Sequence, residues 1–312
     1  MFSRQIFFSS FILLLLTGIC SGCQVPTSTP QKVEKLSGTG CAGTNKNFSL
    51  DFLKTNNQGN QDEGGINHVI IFNPKSERLE FKVNVGLAHE LYAKDERDKV
   101  RREYVPKTFS EIISDENSTL KGDKPIAAIN ADYIGIDNKP QGLNMSRGIE
   151  YSGDFLNKRS SFGISGGKLS QRQATLQTGK RKSENLNFNL VGGNGRFYKN
   201  GVFKDICQDL GKFACKQATN RSMVAVTSSG YVVLLVNDSK ANSDIRISDN
   251  NQELLPDKFD DVLKGIARNN CLGSIREAML FDGGMSPGFY YRNKIYVQNP
   301  GPIGSVFLIY QR

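Results

Sequence analysis

Only two histidines, His68 and His89, occur in 312 residues, and they stand far apart in the chain. That excludes a His-rich zinc site or a binuclear His site and leaves a Ser-His-Asp triad poorly supplied. Acid–base or nucleophilic chemistry therefore falls to carboxylates. Two of them stand out because each closely follows an apolar run: Asp132 after Pro125-Ile126-Ala127-Ala128-Ile129-Asn130, and Asp282 after Ala278-Met279-Leu280-Phe281. Gly283 and Gly284, next to Asp282, let the backbone turn sharply and aim amide donors at an anion. The same residues also read as a structural turn in which Asp282 caps its own backbone. Ser286 can donate a hydrogen bond, but without a neighbouring His or Lys to activate it, it is not the expected nucleophile. As oxygen ligands, Asp132 and Asp282 could alternatively hold a divalent cation; no other cofactor is indicated.

The elements that must position these groups can be read from periodicity. His68–Phe72 and Leu79–Val85 flank a turn at Asn73–Ser76 and read as two strands, with His68 no more than a strand residue. The charged stretch Ala88–Glu103 reads as a loop or exposed helix. Thr108 and Glu111 have capping-box spacing at the start of a short helix, and the strand ending at Asn130 follows. Further along, Arg221–Val226 and Gly230–Val236 form a hairpin around Thr227-Ser228-Ser229. Phe259, Val262, Leu263, Ile266 and Ala267 recur with helical spacing just before the strand that leads to Asp282. Strands at Phe289–Tyr291, Lys294–Val297 and Val306–Tyr310 close the chain. The fold class expected is α+β, a mixed β-sheet core with a few packing helices in one domain spanning residues 47–312. A helix, strand, polar-loop unit thus occurs twice. If its two strands share a sheet and a direction, their carboxyl ends bring Asn130, Asp132 and Asp282 together, where open sheets form ligand sites.

Several segments taken in order resemble the phosphodiester glycosidase family. They are Ile129-Asn130-Ala131-Asp132-Tyr133, Lys139-Pro140-Gln141-Gly142-Leu143, Val191–Gly201 with its Gly192-Gly193-Asn194-Gly195 core, Asn220–Val226, and Leu280-Phe281-Asp282-Gly283-Gly284-Met285-Ser286. The resemblance covers residues 65–312. Members include an enzyme that removes a capping N-acetylglucosamine from a phosphodiester. The chain departs from the family pattern at Asp132, where glycine is commoner, and at Met285, which replaces a third glycine. It also departs at Gly301-Pro302-Ile303-Gly304-Ser305, where many members carry an Arg.

The resemblance implies a hydrolase acting on a glycosyl phosphodiester in an envelope or extracellular glycan. At the anomeric carbon such a reaction builds oxocarbenium-like charge while phosphate leaves readily, so it needs a carboxylate more than a strong acid. Asp282 is the first choice, as nucleophile or as base on water, with Asp132 as the second carboxylate. Asn130, Gly142, Gly283, Gly284 and Ser286 are expected to bind substrate, Asn130 through a sugar hydroxyl or by orienting Asp132. Arg221 is the expected phosphate clamp, because a guanidinium holds two phosphate oxygens at once. Gly192, Gly193 and Gly195 read as tight turns. Two alternatives stay open: a phosphodiesterase cutting the phosphorus side of the bond, and a non-catalytic glycan-binding lipoprotein.

Before the domain, Arg4 and the apolar run Ile6–Thr17 read as a signal peptide over residues 1–22, too short for a membrane-spanning helix. Small residues before Cys23 fit a lipoprotein signal, with Cys23 lipidated, a tether over residues 23–46 and membrane anchoring; plain secretion is the alternative. The full chain carries a formal +9, which suits anionic surroundings. The basic clusters Lys99–Arg102 and Lys180–Lys182 read as solvated loops, and no nucleic-acid partner is expected. Among the remaining cysteines, Cys207 and Cys215 are the first pairing, leaving Cys41 with Cys271, although three connectivities are open.

Overall fold

The computed structural model describes residues 41, 49–57, 59, 67–91, 101–118, 124–152, 159–166, 168–178, 187–207, 219–238, 254–298 and 300–312. The expected signal peptide, Cys23, most of the tether, Lys99, the Lys180–Lys182 cluster and Cys215 lie outside the described residues. Three sheets carry the fold. The first orders Leu50–Thr55, Asn67–Phe72, Val232–Asn237, Ser222–Thr227, Ile275–Leu280, Arg196–Lys199 and Val202–Phe203. The second orders Lys294–Val297, Phe289–Tyr291, Pro125–Asn130, Val306–Gln311 and Leu79–Asn84. The third orders Ala174–Thr178, Ser160–Ser165, Asn187–Gly192, Asn144–Ser146 and Ile149–Ser152.

Every strand pairing among the described residues is antiparallel, so the mixed sheet expected from sequence is not found. The fold is predominantly β. The two α-helices described, Phe109–Ser118 (α1) and Phe259–Asn269 (α2), each cover the outer face of one sheet.

The inner faces of the three sheets meet in one core. Ile70, Val224 and Met279 come from the first, Ile129 and Phe307 from the second, Phe162 and Val191 from the third. On the opposite face of the first sheet, Val69, Met223 and Leu280 pack with Val262, Leu263 and Ile266 of α2. Burying each such aliphatic side chain contributes roughly 1.5–3 kcal/mol. On the outer face of the second sheet, Phe109, Ile112 and Ile113 of α1 cover Ala128 and Leu308. Because both faces are covered, the central strands are continuous apolar runs such as Val232–Val236.

α1 starts as the capping box predicts: the Thr108 amide donates to Glu111 Oε2 at 2.7 Å, and the Glu111 amide donates to Thr108 Oγ1 at 3.3 Å. The Asn73–Ser76 turn joins strands of different sheets, because Asn67–Phe72 pairs with Val232–Asn237 while Leu79–Asn84 pairs with Val306–Gln311. His68 is a strand residue, as expected, packed in an aromatic cluster with Phe52, Phe289 and Tyr296. The stretch expected to be a loop or helix contains strands Leu87–Leu91 and Arg101–Tyr104, which pair with each other. Cys41 is bridged to Cys271 just beyond α2. Cys207 is also disulfide-bonded.

Candidate active site

The two strands that deliver Asp132 and Asp282 lie in different sheets, contrary to the condition set from sequence. Their carboxyl ends nevertheless meet. The Asp282 amide donates to the Ala131 carbonyl at 2.8 Å, and Asn130 Nδ2 donates to the Asp282 carbonyl at 2.7 Å. Asn130 Oδ1 accepts from Ser222 Oγ at 2.6 Å and from the Gly288 amide at 3.0 Å. The neighbouring Phe281 amide donates to Ser222 O, and that of Gly284 to Asn220 O. The Asp282 loop is therefore stitched to both sheets. Gly284 sits at φ +66°, and a Cβ on Gly283 would lie 2.9 Å from Asn220 O, which is why this loop needs glycine at both positions.

Asp132 is fully buried. Its Oδ2 accepts from the Gly142 amide at 2.6 Å and Asn144 Nδ2 at 2.7 Å, and its Oδ1 from the Tyr133 amide at 2.8 Å. Burial pushes its pKa up to about 6 in spite of these donors. Gly192 makes the close packing feasible, since a Cβ there would stand 2.5 Å from Asp132 Oδ2. The Gly301–Ser305 segment backs Asp132 through its backbone and a serine hydroxyl. The Asp132 amide donates to Ser305 Oγ at 3.1 Å, and the Gly304 amide to Asp132 O at 3.0 Å.

Asp282 retains 8 % exposure. Burial raises its pKa to about 7, and the charge of Asp132 adds to that rise; the Ser286 hydroxyl, the Gly283 amide and the Arg159 cation oppose it. Tyr133 stands beside the pair, with its pKa pushed to about 12 by burial and by the Asp282 charge. Its hydroxyl accepts from Asn194 Nδ2 at 2.8 Å. Arg159 lies over the Tyr133 ring, 4.7 Å from its centroid, while Nη1 donates to Gln141 Oε1 at 2.6 Å. Arg221 is buried; its Nε donates to Leu254 O at 3.4 Å, its guanidinium is 6.0 Å from the Phe259 ring centroid, and its charge reaches Tyr133.

The structure thus gathers Asn130, Asp132, Gly142, Asp282, Gly283, Gly284 and Ser286 at one place, with Arg221 close by. It distributes their tasks differently from the sequence reading. The amides of Gly142, Gly283 and Gly284, expected to face substrate, donate to Asp132, Asp282 and Asn220. Asn130 spends both ends of its amide holding the Asp282 loop. Tyr133, Asn144, Arg159 and Asn194 were missed. Tyr133 and Asn194 lie inside motifs that sequence singled out, whereas nothing local marks Arg159. Among the described residues no group of three or more His, Cys, Asp and Glu side chains could hold a metal ion.

Over residues 123–310 the sequence matches the model of the phosphodiester glycosidase family. No curated protein matches the chain by sequence. The fold is similar to that of a zebrafish N-acetylglucosamine-1-phosphodiester alpha-N-acetylglucosaminidase catalytic domain auto-inhibited by its pro-peptide. The TM-score is 0.54 at 13% identity, over 86% of this chain and 85% of that one. A hypothetical protein from Synechocystis aligns with TM-score 0.52 at 14% identity, covering 84% of this chain and 61% of the other.

Proposed function

Since the chain belongs to the phosphodiester glycosidase family, we propose that it is an exported, lipid-anchored hydrolase that cleaves a glycosyl phosphodiester of an envelope or extracellular glycan. The observation that supports this reading most is the carboxylate pair: one fully buried and held by three N–H donors, the other partly open and tuned towards neutrality. Asp282 is the group able to touch substrate. As a carboxylate it attacks the anomeric carbon, or takes a proton from the water that does. The bond from that carbon to the phosphate oxygen breaks, and its electron pair leaves with the phosphate.

Asp132, with no exposed surface, is better suited to positioning than to contact: it orders the Gly142–Asn144 segment and holds the Asp282 pKa up. Arg159, half-buried beside Tyr133, is the nearer candidate for the departing phosphate, and Arg221 supports it from a deeper position. Were a divalent cation bound, Asp132 and Asp282 would be its oxygen ligands and it would offset negative charge on the phosphate; no step of this mechanism depends on it.

The test is hydrolysis of UDP-N-acetylglucosamine and of N-acetylglucosamine-1-phospho-methylmannoside in heavy-oxygen water, with and without chelator. Label in the released sugar supports glycosidase action. Label in the phosphate would assign the protein to phosphodiesterases, and loss of activity with chelator would bring in the cation.

A further inference from the structure

A cavity of about 340 Å³ lies apart from the carboxylate pair, lined by Glu80, Ser165, Lys168, Arg172, Phe188 and Arg312 among others. Its size falls at the small end of the roughly 300–1,000 Å³ typical of ligand pockets. Its charge is lopsided, with three cations against one carboxylate. That carboxylate is already shared, for Glu80 receives Arg147 Nη2 at 3.1 Å and Arg312 Nε at 3.3 Å. Neither Lys168 nor Arg172 has a carboxylate within ion-pair distance among the described residues. Arg172 is fixed in place: Nη1 donates to the Leu79 carbonyl at 2.8 Å, and its guanidinium lies 5.6 Å from the Phe81 ring centroid. Burial lowers its pKa and the Arg312 charge adds to the effect, while the Glu80 carboxylate opposes it. Cations placed this way favour an anion from outside.

An aromatic face completes the cavity. Phe188 is 42 % exposed, and its ring lies over two glycines: a Cβ on Gly166 would come within 3.2 Å of the ring and one on Gly148 within 3.5 Å. Glycine at both positions lets the ring rest against the backbone with one side open. A flat apolar surface beside an ammonium and a guanidinium matches a sugar that carries phosphate.

Topology links this cavity to the carboxylates. Ser160–Ser165 and Asn187–Gly192 pair antiparallel, and at one end the Ser160 amide donates to Asn194 O while Gly192 abuts Asp132. At the other end, Ser165, Phe188 and Asn189 line the cavity. Five residue steps along such a strand span about 16 Å. We propose that the cavity is a second subsite, holding a phosphate-bearing sugar of the same chain whose glycosyl phosphodiester is cut at Asp282. Lys168 and Arg172 take the phosphate oxygens and Phe188 the sugar face. The proposal rests on the function proposed above.

Its test does not depend on turnover. Glucose 6-phosphate, which has no glycosyl phosphodiester to cut, is titrated into the full chain and followed by amide chemical shifts, with glucose as the neutral control. Shifts at Gly166, Lys168, Phe188 and Asn189 are expected, with affinity falling about tenfold in Lys168→Glu and in Phe188→Ala as the charge-assisted contact or the ring is lost. Both side chains are exposed, so these variants should keep the fold. Equal response to glucose, unchanged affinity in both variants, or no shift at these amides would overturn the subsite. Binding here in a protein that cleaves no glycosyl phosphodiester would overturn its link to catalysis and the function reading together. Turnover without binding would overturn the subsite alone.

Discussion

Two regions of this molecule bury carboxylates, and the same burial ends in opposite results. Behind the second sheet, Glu116 of α1 is buried, which raises its pKa. Hydrogen bonds from Lys82 Nζ, Tyr310 Oη and Asn84 Nδ2, at 2.7, 2.7 and 2.6 Å, more than cancel that effect and leave the pKa below the usual carboxylate value. At the meeting point of the sheets, Asp132 receives only uncharged donors in direct contact, and Asp282 has Asp132 as a neighbour; their pKa values rise to about 6 and about 7. Desolvation is common to both regions, and the partner supplied to the charge decides the outcome. A cation makes a buried acid part of the scaffold. Without a cation in direct contact burial wins, and at Asp282 the neighbouring acid adds to it, which leaves the group poised to exchange protons near neutrality, as a reactive carboxylate requires.

The sharpest way to break this comparison is to neutralise one acid in each region. Asp282→Asn should lower turnover by about 10²–10⁴-fold while leaving the fold intact; measured kcat/KM that stays within a few-fold of the parent would remove Asp282 from the chemistry. Glu116→Ala should do the reverse. It leaves Lys82 unpaired, but that side chain is 31% exposed and can turn to water, so the loss should be about 3 kcal/mol, the low end for breaking a buried pair. Chemical denaturation should show that loss, with turnover of the folded fraction unchanged.

A smaller effect separates the regions by pH. The folded pKa values of Asp132 and Asp282 stand above those of an unfolded chain, so their contribution to stability is full below about pH 4 and is lost as pH rises through about 6 and 7. Glu116 has a lowered folded pKa, so its contribution is present above the unfolded value of about 4.3 and is lost as pH falls through the folded one. Relative to the parent, Asp282→Asn should therefore gain stability between about pH 5 and 8, by a few kcal/mol at most. Glu116→Gln should be less stable at pH 7, and the deficit should narrow in acid. Denaturation midpoints at a series of pH values would show both, and parallel curves for the two variants would contradict the contrast.

The scaffold acid was not visible in the sequence. Glu116 gained its meaning only when Lys82 and Tyr310, from strands far apart in the chain, were paired beside it by the register of Leu79–Asn84 against Val306–Gln311. The acids at the site were visible, because an apolar run ending in Asn130-Ala131-Asp132 or in Asp282-Gly283-Gly284 is a local pattern. Local patterns also gave the capping box at Thr108 and the buried stripe of α2. Which strands share a sheet depends on distant partners, so the assumption of one sheet for both acids failed even though their meeting point was anticipated. Arg159 escaped notice for the same reason: it reaches Tyr133 and Gln141 only once the third sheet has docked.

The finest test acts within the carboxylate pair itself. If Asp282 must be ionised to react, kcat/KM should rise with pH through about 7. Part of that elevation comes from the negative charge of Asp132, so Asp132→Asn should move the rising limb to lower pH, and the ratio of the rate at pH 6 to that at pH 8 should increase. A purely structural role for Asp132 predicts something else. Loss of its acceptor oxygens would loosen Gly142 and Asn144 and depress the rate equally at both pH values. The ratio thus separates electrostatic coupling from simple support, even in a variant whose absolute activity is low.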